Sequence, residues 1–338
     1  MSGKWQRIAI GLMAAAVCVA QALPAAAEER YAVFDALFLQ RDNVSIARPL
    51  VLEASGGPAA ISTGDLRFSV QPGMRLFYGH VGEESAGWEV GYLGVWGMFA
   101  DANAANAGTL QAPDPLGTPD GVLNGADFAR ATYSSSLNSA EANLFFRSCD
   151  GGYNRRAGEP WRRCDNYCQG TLDWLVGFRW AGLDESAALA FSPSGNPGAG
   201  LYALNTTTNL AGVQLGSRGR MTWDRWAFEG WAKVALAGSA MSQSQSPIYN
   251  SIIEFEERPG QSSREGGVGF IGDMNFTAVY RLTDTWGLRM GYNLIWLSGV
   301  ALAPNQFDFS SPPAGGTQLH GGSSVFLSGA NLGLEARW

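Results

Sequence analysis

Apolar side chains recur at every second position over strand-length stretches from residue 30 onward, and this period limits the fold more than any other feature. Between Val268 and Leu282 the even-numbered positions are apolar or glycine, whereas the odd-numbered positions include Asp273, Asn275 and Arg281. Such alternation is typical of a β-strand with one apolar face. The sequence therefore predicts an all-β protein.

Ten runs of the chain show this alternation. Bulges are expected near Asn138-Ser139, where the fourth run changes phase, and at Pro72-Gly73, because a proline removes a ladder hydrogen bond. The runs cover residues 31–42, 64–79, 87–100, 129–148, 171–184, 206–220, 224–239, 266–282, 285–299 and 323–338.

The connections between runs alternate in length. Short turns follow the second, sixth and eighth runs, and a cysteine-containing segment follows the fourth. This alternation is typical of an outer-membrane barrel. We therefore expect a transmembrane up-and-down antiparallel β-barrel of about ten strands, with twelve as the alternative, short periplasmic turns and long extracellular loops. The predicted extracellular loops are residues 43–63, 101–128, 185–205, 240–265 and 300–322.

Composition excludes several other classes of protein. Only 16% of the 338 residues are charged, whereas about 25% is usual in soluble domains. The 12% of aromatic residues argues against disorder. A net charge of −7 disfavours nucleic acid as a partner, because binding to phosphates needs a surplus of cations.

The first 27 residues have the pattern of a cleaved secretory signal peptide. Lys4 and Arg7 precede an apolar stretch, which ends at the small residues Ala25, Ala26 and Ala27. The stretch is short for a membrane span, and small residues favour cleavage. We expect export to the bacterial outer membrane, with one barrel domain over residues 28–338.

Aromatic residues near both ends of the runs indicate that the apolar face contacts lipid. Two such belts are typical of transmembrane barrels. The expected partner of the apolar face is thus outer-membrane lipid. The periplasmic belt is predicted from Tyr31, Tyr78, Trp88, Trp226, Tyr280, Trp286 and Trp338, and the other belt from Phe38, Trp96, Trp180, Phe270, Trp296 and Phe326.

The polar face is then predicted to line the lumen. Its charges are nearly balanced, so they can pair across the narrow interior of a ten-stranded barrel. Both structural filling of the lumen and a narrow conducting path remain open. The charged lumen candidates are Asp35, Arg67, Arg75, Glu89, Glu141, Arg147, Asp173, Arg179, Glu229, Lys233, Asp273, Arg281, Arg289, Glu335 and Arg337.

Three cysteines, Cys149, Cys164 and Cys168, remain after the predicted signal peptide. One disulfide is plausible in an oxidising compartment, although the pairing is open. A metal site is disfavoured, because no histidine lies near and three thiolates alone do not complete a zinc site. No cofactor is expected.

Motifs through most of the chain after residue 27 are typical of one family of proteins. They include Ala36-Leu37-Phe38-Leu39, Gly87-Trp88-Glu89-Val90-Gly91-Tyr92, Tyr133-Ser134-Ser135-Ser136-Leu137-Asn138, Glu229-Gly230-Trp231-Ala232-Lys233, Tyr280-Arg281-Leu282-Thr283, Gly291-Tyr292-Asn293 and Gly333-Leu334-Glu335-Ala336-Arg337-Trp338. Through these motifs the chain resembles the putative beta-barrel porin-7 family of bacterial outer-membrane proteins. That resemblance implies an outer-membrane barrel of porin-like type, and it transfers no catalytic residue.

Three functions compete at this point. The first is a porin-like barrel, either a narrow channel or a structural barrel with a charge-filled lumen, whose solute is unknown. The second is a surface-binding barrel, or adhesin, that acts through its long loops. A barrel hydrolase is disfavoured, because only His80 and His320 could serve as a base and neither lies in a recognisable catalytic motif. We therefore expect no enzyme, and we expect Trp338 to contact the barrel-assembly machinery.

Overall fold

The computed structural model describes residues 29–44, 47–82, 86–114, 122–149, 170–192, 200–250, 254–310 and 316–338. Their strands are β1 (Glu29–Val44), β2 (Pro49–Leu52), β3 (Ala59–Ser62), β4 (Gln71–Val81), β5 (Ala86–Leu110), β6 (Ala126–Cys149), β7 (Gly170–Ser192), β8 (Gly200–Trp223), β9 (Trp226–Gln245), β10 (Ile248–Asn250), β11 (Phe255–Arg258), β12 (Gln261–Arg281), β13 (Trp286–Val300) and β14 (Ser323–Arg337).

Ten of these strands form one closed antiparallel barrel. Around the barrel the order is β1, β14, β13, β12, β9, β8, β7, β6, β5 and β4, and β4 returns to β1. The first and last strands pair from Tyr31 opposite Arg337 to Val44 opposite Ser324. The two remaining pairs, β2 with β3 and β10 with β11, are small hairpins in the connections at the extracellular end. The all-β class, the barrel and its ten strands are thus confirmed.

Several strands continue further towards the extracellular end than the sequence predicts. β5 has 25 residues and β8 has 24, whereas about ten residues suffice to cross a bilayer. Much of the predicted loops 101–128, 185–205 and 240–265 is therefore paired strand. The reason is that apolar alternation stops where lipid stops, while the hydrogen-bond ladder continues through Ser, Thr, Asn and Ala residues.

Neither expected bulge is found where the sequence placed it. β6 keeps an unbroken register with β7, and the irregularity lies opposite it on β5, between Val95 and Met98. There Gly97 adopts a φ of 72°, which glycine tolerates without strain. Pro72 pairs only with β1, because the ladder between β4 and β5 begins at Gly73. The missing N–H of the proline therefore needs no bulge.

The turns at the periplasmic end are short where they are described. Asp224 and Arg225 join β8 to β9, and residues 282–285 join β12 to β13. Asp224 adopts a φ of 53°, as such a tight turn requires. Residues 1–27, the predicted signal peptide, and residues 150–169, with Cys164 and Cys168, lie outside the described residues.

The outer surface of the barrel carries the apolar face. Val268, Leu236 and Met290 are more than half exposed there. Aromatic rings pair along both edges of this surface, as in Trp226 with Tyr280 and Phe270 with Trp296.

One assignment to the periplasmic belt is wrong. Tyr31 points inward and is only 2% exposed, because position 31 shares the parity of the inward residue Asp35. Among the described residues, the structure contains no helix long and apolar enough to cross a bilayer.

The barrel interior has two chemically different halves. Its extracellular half is an apolar core, in which side chains of the barrel wall pack against segments from several connections. Its periplasmic half contains charged and amide side chains together with a small apolar cluster. The extracellular half departs from the prediction, since apolar side chains there occupy an interior that was expected to be polar.

Candidate functional site

The structure places most of the charged lumen candidates inside the barrel. Arg147 and Arg337 are partly buried near the periplasmic end, with side chains 17% and 22% exposed. Asn143, Asn275 and Asn293 are buried among the charges. The fully buried candidates are Asp35, Arg75, Glu89, Glu141, Asp173, Arg179, Glu229, Lys233, Asp273, Arg289 and Glu335.

Two of the fifteen candidates lie elsewhere. Arg67 is exposed in the segment before β4, because that strand begins at Gln71 and not at residue 64. Arg281 has the inward parity of β12 but is its last residue, so its side chain is exposed at the periplasmic mouth. Parity along a strand therefore predicted the side of the wall, but not the depth in the barrel.

The carboxylate of Asp273 on β12 binds two arginines from distant strands. The Nη2 atom of Arg75 on β4 lies 3.1 Å from each of its oxygens. The Nη2 atom of Arg179 on β7 lies 2.9 Å from Oδ2, and Trp231 Nε1 donates to Oδ1 at 3.2 Å. Three strands separate β4 from β12 by the shorter way round. This cluster therefore spans the lumen.

A second cluster forms around Lys233 on β9. Its Nζ atom lies 2.9 Å from Glu89 Oε1 and 3.0 Å from Glu141 Oε1. Glu89 also accepts from Arg218 at 2.7 Å and from the hydroxyl of Tyr31 at 2.8 Å. Each carboxylate is thus paired with at least one cation, which is the condition for burying such charges.

A third cluster lies nearer the periplasmic mouth and centres on Arg289 of β13. Its guanidinium contacts Asp35, Glu229 and Glu335 at 3.2, 3.3 and 2.9 Å. Arg220 on β8 adds contacts of 2.9 Å to Glu229 and 2.6 Å to Glu335. The carboxylates of Asp35, Glu229 and Glu335 are therefore occupied by arginines of the barrel itself.

Amide side chains connect the clusters. Asn275 donates to Asn293 at 2.8 Å, and Asn293 donates to Asn331 at 2.9 Å, so that three neighbouring strands carry one amide rung. Asn293 in turn accepts from Arg75 at 2.7 Å. Gln214 donates to Glu141 at 2.6 Å. The polar interior is one nearly continuous network.

Inward-facing glycines leave room for these long side chains. A Cβ atom on Gly333 would collide with the side chain of Asp35 and with the carbonyl oxygen of Phe34. A Cβ atom on Gly177 would collide with Asn143 in the same way. Part of the high glycine content therefore serves the packing of charges in a narrow barrel.

Sequence reasoning did not select Arg41, Glu185, Arg218 and Arg220, whose charged side chains the structure places inside the barrel. Arg41 has the parity of Asp35, and Glu185 has that of Arg179, so continuing the alternation would have found both. Arg41 Nη2 lies 2.5 Å from Glu185 Oε1, and neither side chain is exposed. Arg41 also donates to Tyr133 at 2.6 Å.

Several connections contribute buried residues to the extracellular half of the barrel, and two of them do so through segments 49–68 and 301–309. We call residues 49–68 and 301–309 the plug. The first segment contributes Leu50, Ile61 and Phe68 to the buried core, and the second contributes Leu302 and Phe307. Tyr202 of β8 packs edge-on against the ring of Phe307 at 4.9 Å. The plug thus adds an apolar barrier above the charged clusters.

Polar anchors fix the plug to the wall. Glu185 accepts from the backbone N–H of Ala303 at 2.8 Å, and Thr208 accepts from that of Ala301 at 3.1 Å. The two plug segments are joined by Arg48, which donates to the carbonyl oxygen of Asn305 at 2.8 Å. Glu185 therefore links the plug to the buried cation of Arg41.

Asp308 orders the plug's outer edge. Its Oδ2 atom accepts from the N–H of Gly316 at 2.7 Å. Its Oδ1 atom accepts from the backbone N–H and from the hydroxyl of Ser310. Partial burial alone would raise the pKa of Asp308, but these donors stabilise the carboxylate and hold that pKa below its usual range.

Two cavities border the charged interior. One holds only about 10 Å³, roughly the space of one water molecule, between Tyr31, Glu89 and Arg218. The other measures about 310 Å³ and lies at the periplasmic mouth. Both are lined by residues of the periplasmic half of the barrel. No group of ligating side chains among the described residues could hold a metal ion.

Of the three cysteines in the predicted disulfide site, only Cys149 lies within the described residues. Cys149 is the last residue of β6, and its backbone pairs with Thr171. The other two cysteines fall outside the described residues, so the disulfide remains a prediction.

Comparison with known proteins identifies the type of barrel. A family model described as Putative beta barrel porin-7 (BBP7) matches residues 125–338. The matched region contains the resemblance motifs from Tyr133 onward, whereas those of the first and third runs precede it. No curated protein matches the sequence.

One solved structure of an outer-membrane protein shares the barrel fold, and a second is a weaker match. The outer-membrane protease OmpT from Escherichia coli is 11% identical with a TM-score of 0.53, and the match covers 94% of this chain and 99% of that one. A major outer-membrane protein from Thermus thermophilus is 9% identical with a TM-score of 0.35, covering 93% of this chain and 100% of that one. At such identities the likeness to OmpT concerns the fold alone.

Proposed function

Since the chain belongs to the Putative beta barrel porin-7 family of outer-membrane barrels, we propose that it is a closed, structural barrel of porin-like type. In its resting state the barrel conducts no current of ions or solutes. The observation that carries this proposal is the pairing of charges across the lumen, with Asp273 held between Arg75 and Arg179.

Physical cost supports a closed state. An ion that crossed the periplasmic half would have to separate buried pairs, and an unpaired buried charge costs several kcal/mol. In the extracellular half it would meet the apolar plug, where no partner replaces its hydration. These two barriers lie in series along the barrel.

Planar-bilayer recording tests the proposal. The purified full-length chain is added to a bilayer beside a porin of known conductance as a positive control. Heat-modifiable electrophoretic mobility verifies that the barrel is folded. We expect no discrete current steps at any voltage that the bilayer withstands. Reproducible steps from the folded protein would contradict the closed state and favour the narrow channel.

The proposal also covers export of the protein, its contact with lipid and its contact with the assembly machinery. Residues 1–27 direct export, the outward face contacts outer-membrane lipid, and Trp338 contacts the barrel-assembly machinery. The position of Trp338 supports the last of these, because its N–H and C=O pair with Arg30 at the barrel seam. Deleting Trp338 is expected to lower the amount of heat-modifiable protein in outer-membrane fractions. An unchanged amount would argue against that contact.

The proposal includes no catalytic step. His320 is one of the two histidines of the chain, and its backbone is fixed by Gln306, to which its N–H donates at 2.7 Å and from which its C=O accepts at 2.8 Å. A His320→Ala variant is expected to match the wild type in assays with lipid and peptide substrates. Hydrolysis that is present in the wild type and lost in the variant would contradict this.

Surface binding is a second candidate function. It is favoured by the length of the strands, since β5 to β9 extend well past the lipid-facing belt and present polar side chains outside the membrane. Vesicles carrying the folded protein would then adhere to immobilised glycans or matrix proteins more than empty vesicles do. Equal adhesion would remove this candidate.

A further inference from the structure

The periplasmic mouth of the barrel contains an open cavity, which lies outside the charge clusters of the interior. The cavity measures about 310 Å³ and lies between the β8–β9 turn and the β12–β13 turn. Four arginines line it, together with the carboxylates of Asp284 and Glu335. The arginines are Arg220, Arg225, Arg281 and Arg337.

The carboxylate of Glu335 is already occupied. It accepts from Arg220 at 2.6 Å, from Arg289 at 2.9 Å and from Arg337 at 3.3 Å. Arg220 and Arg337 also contact Glu229, at 2.9 and 3.6 Å. These two arginines are therefore held in place by ion pairs with the wall of the barrel, and their charge is compensated there.

Arg225 and Arg281 form the other side of the cavity and lack a carboxylate partner among the described residues. Their backbones are fixed to each other, because the N–H of Arg281 donates to the C=O of Arg225 at 2.8 Å. Their guanidinium groups thus share one rim of the mouth. Neither guanidinium group forms an ion pair with a described residue, and Asp284 is the one other carboxylate of the lining besides the occupied Glu335. The cavity therefore keeps an excess of positive charge, which favours an anion with several acceptor oxygens.

A hydroxyl donor completes the set. Thr283 lines the cavity, and its Oγ1 accepts from the backbone N–H of Trp286 at 3.0 Å and of Thr285 at 3.3 Å. Both contacts use lone pairs of the oxygen, so the hydroxyl hydrogen is left to donate. Forked arginines together with a hydroxyl are the donors that bind phosphate oxygens.

The cavity also lies at the level of the membrane surface. Trp226 and Trp286 belong to its lining and are 43% and 50% exposed on the lipid side of the wall. Tryptophan at such a position marks the interface between lipid and water. We propose that this mouth is a binding site for a phosphate group, supplied either by a phospholipid headgroup or by a free phosphate in the periplasm.

The test compares two variants of the full-length protein that lose the same charge. Arg225→Gln/Arg281→Gln removes the two arginines of the cavity that form no ion pair with a described residue. Arg67→Gln/Arg264→Gln removes two exposed arginines at the opposite end, and Arg264 lies on the same strand as Arg281. Heat-modifiable mobility verifies that both variants fold.

Two measurements separate the sources of phosphate. Calorimetric titration with inorganic phosphate, in a non-ionic detergent, reports binding of the free anion. Native mass spectrometry counts the phosphatidylglycerol molecules that the barrel retains, with phosphatidylcholine as the comparison lipid. We expect binding in at least one measurement, weakened about tenfold or more in the cavity variant and unchanged in the control variant.

Each outcome is informative. Binding of inorganic phosphate that depends on Arg225 and Arg281 identifies a site open to the free anion. Dependence seen only with phosphatidylglycerol identifies a headgroup site. If neither measurement separates the cavity variant from the wild type, or if both variants lose binding equally, the proposal is overturned. The conductance of the barrel plays no part in this result.

Discussion

Arg75 and Asp273 face each other across the barrel, with the Nη2 atom of the arginine 3.1 Å from both carboxylate oxygens. Both side chains are only 1% exposed. The pair joins β4 to β12, which share no hydrogen-bonded edge. It therefore links opposite parts of the wall across the lumen, which backbone hydrogen bonds between neighbouring strands do not do.

Replacing Asp273 by alanine is expected to destabilise the barrel strongly. The change leaves Arg75 and Arg179 buried without their carboxylate, and breaking a buried pair in this way costs about 3–5 kcal/mol. Urea unfolding in lipid vesicles measures the effect. Asp101→Asn is the control, because the Asp101–Arg130 pair is exposed and such pairs contribute about 1 kcal/mol or less. An equal loss of unfolding free energy in both variants would show that the central pair stabilises the barrel no more than the exposed pair does.

Adding a methyl group at Gly333 is expected to disturb the same interior. The new Cβ would meet the side chain of Asp35 and the backbone of Phe34, and overpacking of this kind costs about 1–3 kcal/mol. Gly238→Ala is the matched control. Gly238 faces outward on β9, where the nearest atom to a new Cβ, the C=O of Ala211, lies 3.9 Å away. Unfolding midpoints should drop for Gly333→Ala only, and a drop of the same size at Gly238 would contradict the steric argument.

The outer edge of the plug is expected to loosen in acid. The pKa of Asp308 is held below its usual range, so its carboxylate stabilises the folded loop at every pH above about 4, the ordinary pKa of aspartate. This contribution is lost as the pH falls through the lowered pKa. Hydrogen exchange of the Gly316 and Ser310 amides, corrected for the intrinsic pH dependence, should show protection that falls only below that pH. In Asp308→Asn the protection should be weaker and independent of pH, and an acid transition that persists there would assign it to another group.

The sequence predicted the barrel because lipid imposes a simple rule on its outer face. Every second side chain between Val268 and Leu282 faces outward or inward as the alternation requires, and the ten runs correspond to the ten strands of the barrel. The side of the wall was thus correct even for Arg281. Its depth was not, because parity carries no information about how far a residue lies from the mouth.

The plug and the pairing of the charges could not be predicted in the same way. Which residues meet across the lumen depends on strand number and stagger, so Arg41 and Glu185, 144 positions apart, are brought together only by the closed barrel. The alternation of residues 64–68 predicts part of a wall strand, whereas residues 49–63 and 301–309 show no period of their own. They are buried because the wall above the charged clusters is apolar inside, a property of ten strands together.

Glu185 is expected to control how firmly the plug is held. Its Oε2 atom accepts the N–H of Ala303, while its Oε1 atom contacts Arg41 and Tyr133. Glu185→Ala removes the plug's anchor and leaves the buried Arg41 without its carboxylate, so hydrogen exchange over residues 301–309 should accelerate about tenfold or more if about 1.4 kcal/mol of local stability is lost. Asp184→Ala is the control, because Asp184 is the adjacent residue on the exposed face of β7 and contacts only Thr207 among its described side-chain hydrogen bonds. The exchange of residues 301–309 should be unchanged there. Equal protection in the two variants would show that apolar packing alone, chiefly Phe307 against Tyr202, retains the plug.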